Sequence, residues 1–291
     1  MIFYCIVRSE ENIINRDVFR LLKEACQTKG LDFVLLETDK IDYSSIRDHI
    51  VPGSLLYRIA GGARPSLLEA LLDDKVATLR QDTTALLARS FSWGSAIRLE
   101  QANIPIIPTI FNVNRFHDAQ LAGYVDKLGG FPTILKSAGG SHGAGVMILD
   151  SLASLRSVLD FISDKSTGDL VLRKYIHSAR HLRLIVLGDE VIDAIEYKPQ
   201  PNDFRTNAVH VPEVEKRNDI DPEIQKNAVR AVSTLGLEFG GVDVLIDKDG
   251  KHFIAEVNHP CNFARNQMNT GFDVAGAMLD YLTQKQEAGV R

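Results

Sequence analysis

The chain has 291 residues, 45% of them hydrophobic and 24% charged, with a formal net charge of −5. That length allows a large core and exceeds one ordinary domain, and the acidic balance argues against a nucleic-acid partner, which usually meets a basic surface. No run approaches the roughly 20 apolar residues of a membrane span, and the scattered Cys5, Cys26 and Cys261, with no CxxC pair, fit a reduced cytoplasmic protein better than a disulfide framework.

Residues 2–7 lack the basic flank and length of a signal segment and read as a first buried strand. Ile14, Val18, Leu21, Leu22 and Ala25 then fall at helical spacing over 13–28, with Gly30 as a stop. Strands at 33–36 and 53–59 alternate with helices at 44–50 and from Pro65, which suits a first helical position. This alternation predicts a small open α/β domain over 1–88. Beyond it, 83–102 and 113–128 read as helices, and 106–110 and 131–136 as strands. A glycine-rich stretch, 137–145, joins the last of these to a strand at 146–149. Next come a helix (152–162), a strand (170–174) and a hairpin (182–187 and 191–198, turning at Gly188-Asp189). The polar stretch 199–220 has no clear period, and a loop of that length is more often functional than filler. Asp221 caps a helix that runs to about 235. A second hairpin spans 241–258, an irregular segment covers 259–271, and a last helix covers 273–285.

The second hairpin carries the most informative chemistry. Asp249-Gly250 suits a two-residue turn, which would pair Lys248 with Lys251 and, counting back, set Asp243 opposite Glu256. Strand alternation puts Asn258 on the same face. Two opposed carboxylates need compensation, and three oxygen donors on one face suit Mg²⁺; a plain hairpin with solvated acids is the equal rival. Gly139, Gly140, Ser141, His142 and Gly143 leave backbone N–H groups free to close over phosphates, although a structural turn reads as well and neither a P-loop nor a dinucleotide fingerprint is matched. Lys136 ends a strand just before that loop, where an ammonium can reach a phosphate. Arg205, within 203–207 of the long polar loop, offers a planar donor fork, although by itself an arginine in a polar loop is more often simply solvated. The histidines have no zinc spacing, Cys261 has no readable base partner, and Gly-x-Ser-x-Gly is absent.

In their order and spacing these pieces resemble the ATP-grasp ligases, and within them the RimK-like amino-acid ligases. The motifs are Pro132-Thr133-Ile134-Leu135-Lys136, the glycine stretch, Lys174-Tyr175-Ile176, 182–191, Asp203-Phe204-Arg205-Thr206-Asn207, Gly241-Val242-Asp243, Glu256-Val257-Asn258 and 270–275. The resemblance implies an ATP-grasp fold of mixed α/β and α+β class: a small N-terminal α/β domain (1–88), then an ATP-grasp region (89–291) whose two α+β subdomains (about 89–176 and 177–291) sandwich ATP. It implies an ATP- and Mg²⁺-dependent carboxylate–amine ligase (with Mn²⁺ able to substitute) that works through an acyl phosphate on an amino acid or short peptide. Rival readings are a small-molecule kinase and a non-catalytic ATP-binding module. By resemblance, Lys136, residues 139–143, Lys174, Tyr175, Ile176 and Arg183 bind ATP, and Asp243, Glu256 and Asn258 bind metal. Arg205 and Lys136 stabilise transferring charge, and Arg205, Asn207, His259 and Arg265 meet the substrate. A homo-oligomer stays open. The chain departs from the family at Lys174 and His181, where acidic residues are usual. It departs again at Ser92, near the place of a cation for which Arg89, a turn away, is the candidate, and at His259-Pro260-Cys261-Asn262 in place of Ser-Pro-Gly.

Overall fold

Strict alternation organises the first layer. In β1 (Ile2–Val7), Phe3, Cys5 and Val7 face one side of the sheet, Tyr4 and Ile6 the other, and all five are buried. The computed structural model describes residues 1–10, 13, 15–81, 93–113, 117–137, 145–163, 170–198 and 213–289. Within them β1 pairs in parallel with β2 (Asp32–Glu37) and β3 (Ser54–Arg58), and β4 (Val76–Ala77) extends the sheet in the order β2-β1-β3-β4. A parallel sheet needs both faces covered. Leu68 and Leu72 of α3 (Ala63–Leu72), with Ile46 of α2 (Ile46–His49), close the Tyr4 face. Val18, Leu21 and Leu22 of α1 (Arg16–Thr28) close the other face. They are joined by Val274, Met278, Leu279 and Leu282 of α9 (Val274–Glu287), from the far end of the chain.

The second sheet is antiparallel, in the order β5 (Thr109–Phe111), β8 (Leu170–Lys174), β6 (Thr133–Ser137), β7 (Val146–Leu149). Leu121 and Val125 of α5 (Asp118–Lys127) and Leu155 and Leu159 of α6 (Leu152–Ser163) pack on Leu135 and Leu172 of one face. The opposite face, with Ile134, Lys136, Val171 and Arg173, remains for function.

The third sheet runs β11 (Val214–Lys216), β10 (Glu190–Tyr197), β9 (Ser178–Leu187), β12 (Phe239–Asp247), β13 (His252–Asn258). Ile224, Ala228, Ala231 and Val232 of α7 (Pro222–Thr234) pack on Leu182, Leu184, Val186, Val242 and Val244, with Leu99 of α4 (Gly94–Gln101) at the edge. As expected, the Asp221 side chain caps α7 by accepting from Glu223 N (2.7 Å).

The mixed α/β and α+β class is borne out. Three short elements were not foreseen: β4, β11 within the polar stretch, and α8 (Ala264–Thr270) within the segment expected to be irregular. Too short to show a period, α8 is closed by Gly271 at φ 74°, the left-handed stop only glycine takes freely. Pro65 is the third residue of α3, not the first. Among the described residues no helix is long and apolar enough to cross a membrane.

A seam of polar backbone ties the first layer to the third. Gln81 N donates to Gly236 O (2.9 Å) and Glu238 N to Leu79 O (3.0 Å), and the Lys285 ammonium of α9 donates to Thr78 O (3.1 Å) and Arg80 O (2.8 Å). Beneath it, Glu69 accepts from Arg58 and from Arg80 Nε (3.2 Å), with both arginines at most 2% exposed. Removing one member of a buried ion cluster leaves charge without compensation, a cost of about 3–5 kcal/mol. Glu69→Leu is therefore expected to lower the urea-unfolding free energy by that order. A change near zero would show the two guanidinium groups to be satisfied without it.

Candidate active site

The site is built on β12 and β13, and its register arises in an unexpected way. The turn is one residue longer than Asp249-Gly250 suggests. Asp247 N donates to Lys251 O (2.9 Å), and the Asp247 carboxylate accepts from Asp249 N (3.0 Å) and Lys251 N (2.9 Å), with Gly250 at φ 82° closing the loop. That turn pairs Ile246 with His252 and Val244 with Ile254, which would send Glu256 to the face covered by α7. A bulge between these pairs and the next leaves Ala255 unpaired and restores Asp243 opposite Glu256 and Gly241 opposite Asn258. Two one-residue offsets cancel, so the expected pairing holds although the expected turn does not.

Asp243 is 6% exposed, and its charge is compensated from β9. Arg183, directly opposite in the ladder, donates from Nη1 to Asp243 Oδ2 (2.7 Å), and Asn258 Nδ2 donates to the same oxygen (3.0 Å). His181 Nε2 lies 3.5 Å from Oδ1. Burial pushes the Asp243 carboxyl up, but Arg183 and His181 outweigh it and hold the group below its ordinary value. Gly241 gives the guanidinium room: a Cβ there would stand 2.6 Å from Cys261 Sγ and 3.0 Å from Arg183 Nε. The His181 ring lies 4.7 Å from that of Tyr197, over which the Arg265 guanidinium sits at 5.8 Å, so Arg265 reaches the edge of the same cluster.

Facing this cluster, the second sheet presents cations. Lys136 Nζ donates to Glu256 Oε2 (3.2 Å), a contact across 120 residues of sequence that joins β6 to β13. The opposed carboxylates are thus already offset by Arg183 and Lys136, which weakens repulsion alone as an argument for a metal. The donor set still fits one. Asp243 keeps its charge, Glu256 is half-exposed, and Asn258 adds an amide oxygen, an all-oxygen group suited to Mg²⁺. Among the described residues no three His, Cys, Asp or Glu side chains cluster to hold a metal, so an ion here draws on the amide.

Other expected residues fall at varying distances from this centre. Ile176, 5% exposed, packs with Ile107 and Phe253 where β8 leaves the sheet, and the Tyr175 ring lies 4.8 Å from that of His177. Lys174 pairs with Thr133, on the face of β8 opposite to Lys136, and its ammonium lies over Gly129. The pleat instead puts its neighbour Arg173 on the Lys136 side, a residue the sequence reading passed over. A cation at the inner end of an otherwise apolar Leu-Val-Leu run was the available signal. His259 is not brought to the cleft: 1% exposed, its Nδ1 lies 3.1 Å from Phe239 O and its ring packs edge-on to Tyr57. Cys261 is likewise buried, and burial pushes its thiol up to about 11, against a nucleophilic role. Gly139, Gly140, Ser141, His142, Gly143, Arg205 and Asn207, with Ser92 and Arg89, lie outside the described residues.

The chain is similar to known proteins in sequence and in fold. The model of the RimK-like ATP-grasp domain matches residues 92–282. The chain is 32% identical over 222 residues to a "Probable alpha-L-glutamate ligase" of Mannheimia succiniciproducens, covering 76% of this chain and 72% of that protein. A "Ribosomal protein bS6--L-glutamate ligase" of Escherichia coli is also 32% identical, over 160 residues. The chain spans about half the length of that relative (52%) and of a Serratia proteamaculans relative (55%). Among solved structures, the ATP-grasp ligase PsnB complexed with minimal precursor, Mg and ADP superposes with a TM-score of 0.75 at 16% identity, covering 98% of this chain and 97% of that one. D-alanine–D-alanine ligase of Bacillus anthracis follows at 0.74 and 15%, covering 99% and 98%. These likenesses establish the ATP-grasp fold.

The geometry separates two substitutions that look alike in sequence. Asp243→Asn strands the buried Arg183 charge and is expected to cost about 3–5 kcal/mol of stability. Glu256→Gln removes an exposed pair worth about 0–1 kcal/mol. Chemical denaturation of the two variants checks this, and equal losses would contradict it. For Asp243 the folded-state pKa lies below the unfolded one, so its stabilisation is complete above the ordinary carboxylate pKa and is lost as pH falls through the folded value. Acid titration should therefore show wild type losing stability below about pH 4 through a component that Asp243→Asn lacks.

Proposed function

The chain belongs to the RimK-like ATP-grasp family, and from that membership together with the site geometry we propose that it is an ATP- and Mg²⁺-dependent carboxylate–amine ligase. The observation that carries the proposal is the meeting of Lys136 with Glu256 beside Asp243 and Asn258, a phosphate-seeking cation against oxygen donors on a facing sheet. Asp243, Glu256 and Asn258 would hold Mg²⁺, which when bound neutralises charge on the nucleotide phosphates. Lys136 takes up phosphate charge, and Arg183 keeps Asp243 ionised and fixed in orientation. The glycine stretch 139–143 closes over the phosphates, and Arg205 stabilises the γ-phosphoryl group as a substrate carboxylate attacks it. ADP leaves, an acyl phosphate forms, and an amine displaces phosphate to make the amide. No side chain need act as nucleophile. Lys174, Tyr175 and Ile176 form the linker beside the adenine, by their backbone more than by side chains.

For the substrate, the relatives named as glutamate ligases support an amino acid or a peptide end, with glutamate the first compound to test. Arg205, Asn207 and Arg265 are its proposed contacts; the burial of His259 leaves that residue a supporting role. In this reading residues 1–88 form the N-terminal domain, and about 89–176 and 177–291 form the two halves that enclose ATP. The buried free thiols of Cys5, Cys26 and Cys261 fit a reducing cytoplasm.

The test is incubation with ATP, Mg²⁺ or Mn²⁺ and a set of amino acids and short peptides, following ADP, phosphate and product mass. ADP and phosphate in equal amounts with a new amide are expected. A phosphorylated product would make the protein a kinase, and nucleotide binding without turnover would make it a binding module. Lys136→Ala is expected to weaken ATP binding roughly 10–100-fold, the equivalent of losing a hydrogen bond to a charged group. Calorimetry giving an unchanged Kd would remove Lys136 from the nucleotide site.

A further inference from the structure

Among the described residues Arg173 is the best-buried cation facing the cleft from the second sheet, and neither fold nor ion pairing there accounts for its charge. It lies opposite Ile134 in the ladder while Lys136 lies opposite Val171, so the two cations share one face of the sheet at diagonal positions. The residue is 9% exposed. Its Nη1 donates to Ala255 O at 3.3 Å, the carbonyl of the unpaired bulge residue next to Glu256, while its Nε is buried without an acceptor among the described residues.

A single indole gathers the group. The Trp93 ring lies 5.5 Å from the Arg173 guanidinium and 5.8 Å from Lys136 Nζ, and among the described residues the Trp93 Nε1 is also buried without an acceptor. Among the described residues, Glu256 is the carboxylate that this pair of cations faces, and it already accepts from Lys136. Burial lowers the Arg173 guanidinium pKa, with Glu256 opposing, which marks a charge held at a cost. Among the described residues two cations share one carboxylate here, and two N–H donors lack acceptors. An oxygen-rich anion between the two sheets supplies both deficits, whereas a purely structural bridge to Ala255 O supplies neither.

We infer that Arg173 is a phosphate-binding residue of the nucleotide site, working with Lys136 from the same strand face and held in place by Trp93 and the Ala255 bulge. The inference rests on the nucleotide reading above and deepens it. It also supplies the further cation whose usual place falls near Ser92, next to Trp93 in sequence.

Trp93 is the chain's single tryptophan, so its emission reports directly on the ring that both cations flank. Purified protein spanning residues 1–291 is titrated with ATP, ADP and adenosine without metal, reading Trp93 fluorescence and, independently, calorimetric heat. Wild type is compared with Arg173→Met and Arg173→Lys, each first checked for fold by circular dichroism and thermal unfolding. For Arg173→Met, Kd for ATP and ADP is expected to rise about 10–100-fold. Adenosine should stay within about twofold of wild type, because the base contacts are untouched. Arg173→Lys, which keeps the charge and loses the fork, should fall between. If Arg173→Met fails to fold, Arg173→Lys alone decides: weaker ATP binding with unchanged adenosine binding supports the assignment. Unchanged ATP affinity, or equal losses for ATP and adenosine, overturns it in favour of a structural bridge. If wild type binds neither ATP nor ADP, the nucleotide reading itself fails, a result distinct from a variant that binds ATP as well as wild type does.

Discussion

A buried carboxylate has to be paired, and much of this molecule follows from how Asp243 is paired. Removing its charge from water is costly, and Arg183 offsets that cost from the adjacent strand at 2.7 Å. The pair dictates local sequence around it. Gly241 must lack a side chain so that the guanidinium can lie across β12. The apolar residues flanking Arg183, Leu182 and Leu184, point to α7, while the charged face turns toward the cleft. Asn258 completes the set by donating to the oxygen that Arg183 also holds. Asp243 is thereby ionised and fixed in place before any ligand arrives, which is what a preorganised site requires.

The cleft itself is a juxtaposition of two sheets with opposite electrostatic character. The third sheet brings carboxylates to its open face, and the second brings Lys136 and Arg173. They touch through Lys136 and Glu256 and through Arg173 and Ala255 O. Among the described residues the cations on this side exceed the carboxylates, while the Asp243 cluster is balanced internally by Arg183. That asymmetry suits a ligand whose polyanionic end approaches the second sheet, with the oxygen donors of the third left to hold a metal ion. The Ala255 bulge serves both sides, since it sets Glu256 toward the cleft and turns a carbonyl to Arg173.

The first layer is not an independent addition. Its core includes α9, and the segment that follows its last strand hydrogen-bonds through Leu79 and Gln81 to residues 236–238 just before β12. Tyr57, towards the C-terminal end of β3, accepts from Cys261 N (3.0 Å), and Asn262 Nδ2 donates to Asn15 Oδ1 (3.3 Å). The loop that leaves the acidic hairpin is therefore held against the end of the parallel sheet, where open α/β folds commonly bind ligands. His259 belongs to this seam, which is why its ring is buried and not presented to solvent.

Much of the architecture was legible from periodicity. Alternating apolar residues in β1, β9 and β12, the amphipathic α1 and α7, and the Asp221 cap are local signals, and local physics decided them. The pairing of Asp243 with Glu256 could also be read, but through a turn one residue too short, with a bulge supplying the difference. A bulge depends on what the extra residue meets across the sheet, and Ala255 meets Arg173, some eighty positions earlier. Lys174 could be named and Arg173 passed over because the choice between them is one of sheet face, set by how β8 pairs with β6. The composition and motif order by themselves determined the mixed fold, the family and the acidic hairpin. Only the tertiary structure decided which cations face those acids, because side chains distant in sequence compensate one another's charge only after the sheets have packed.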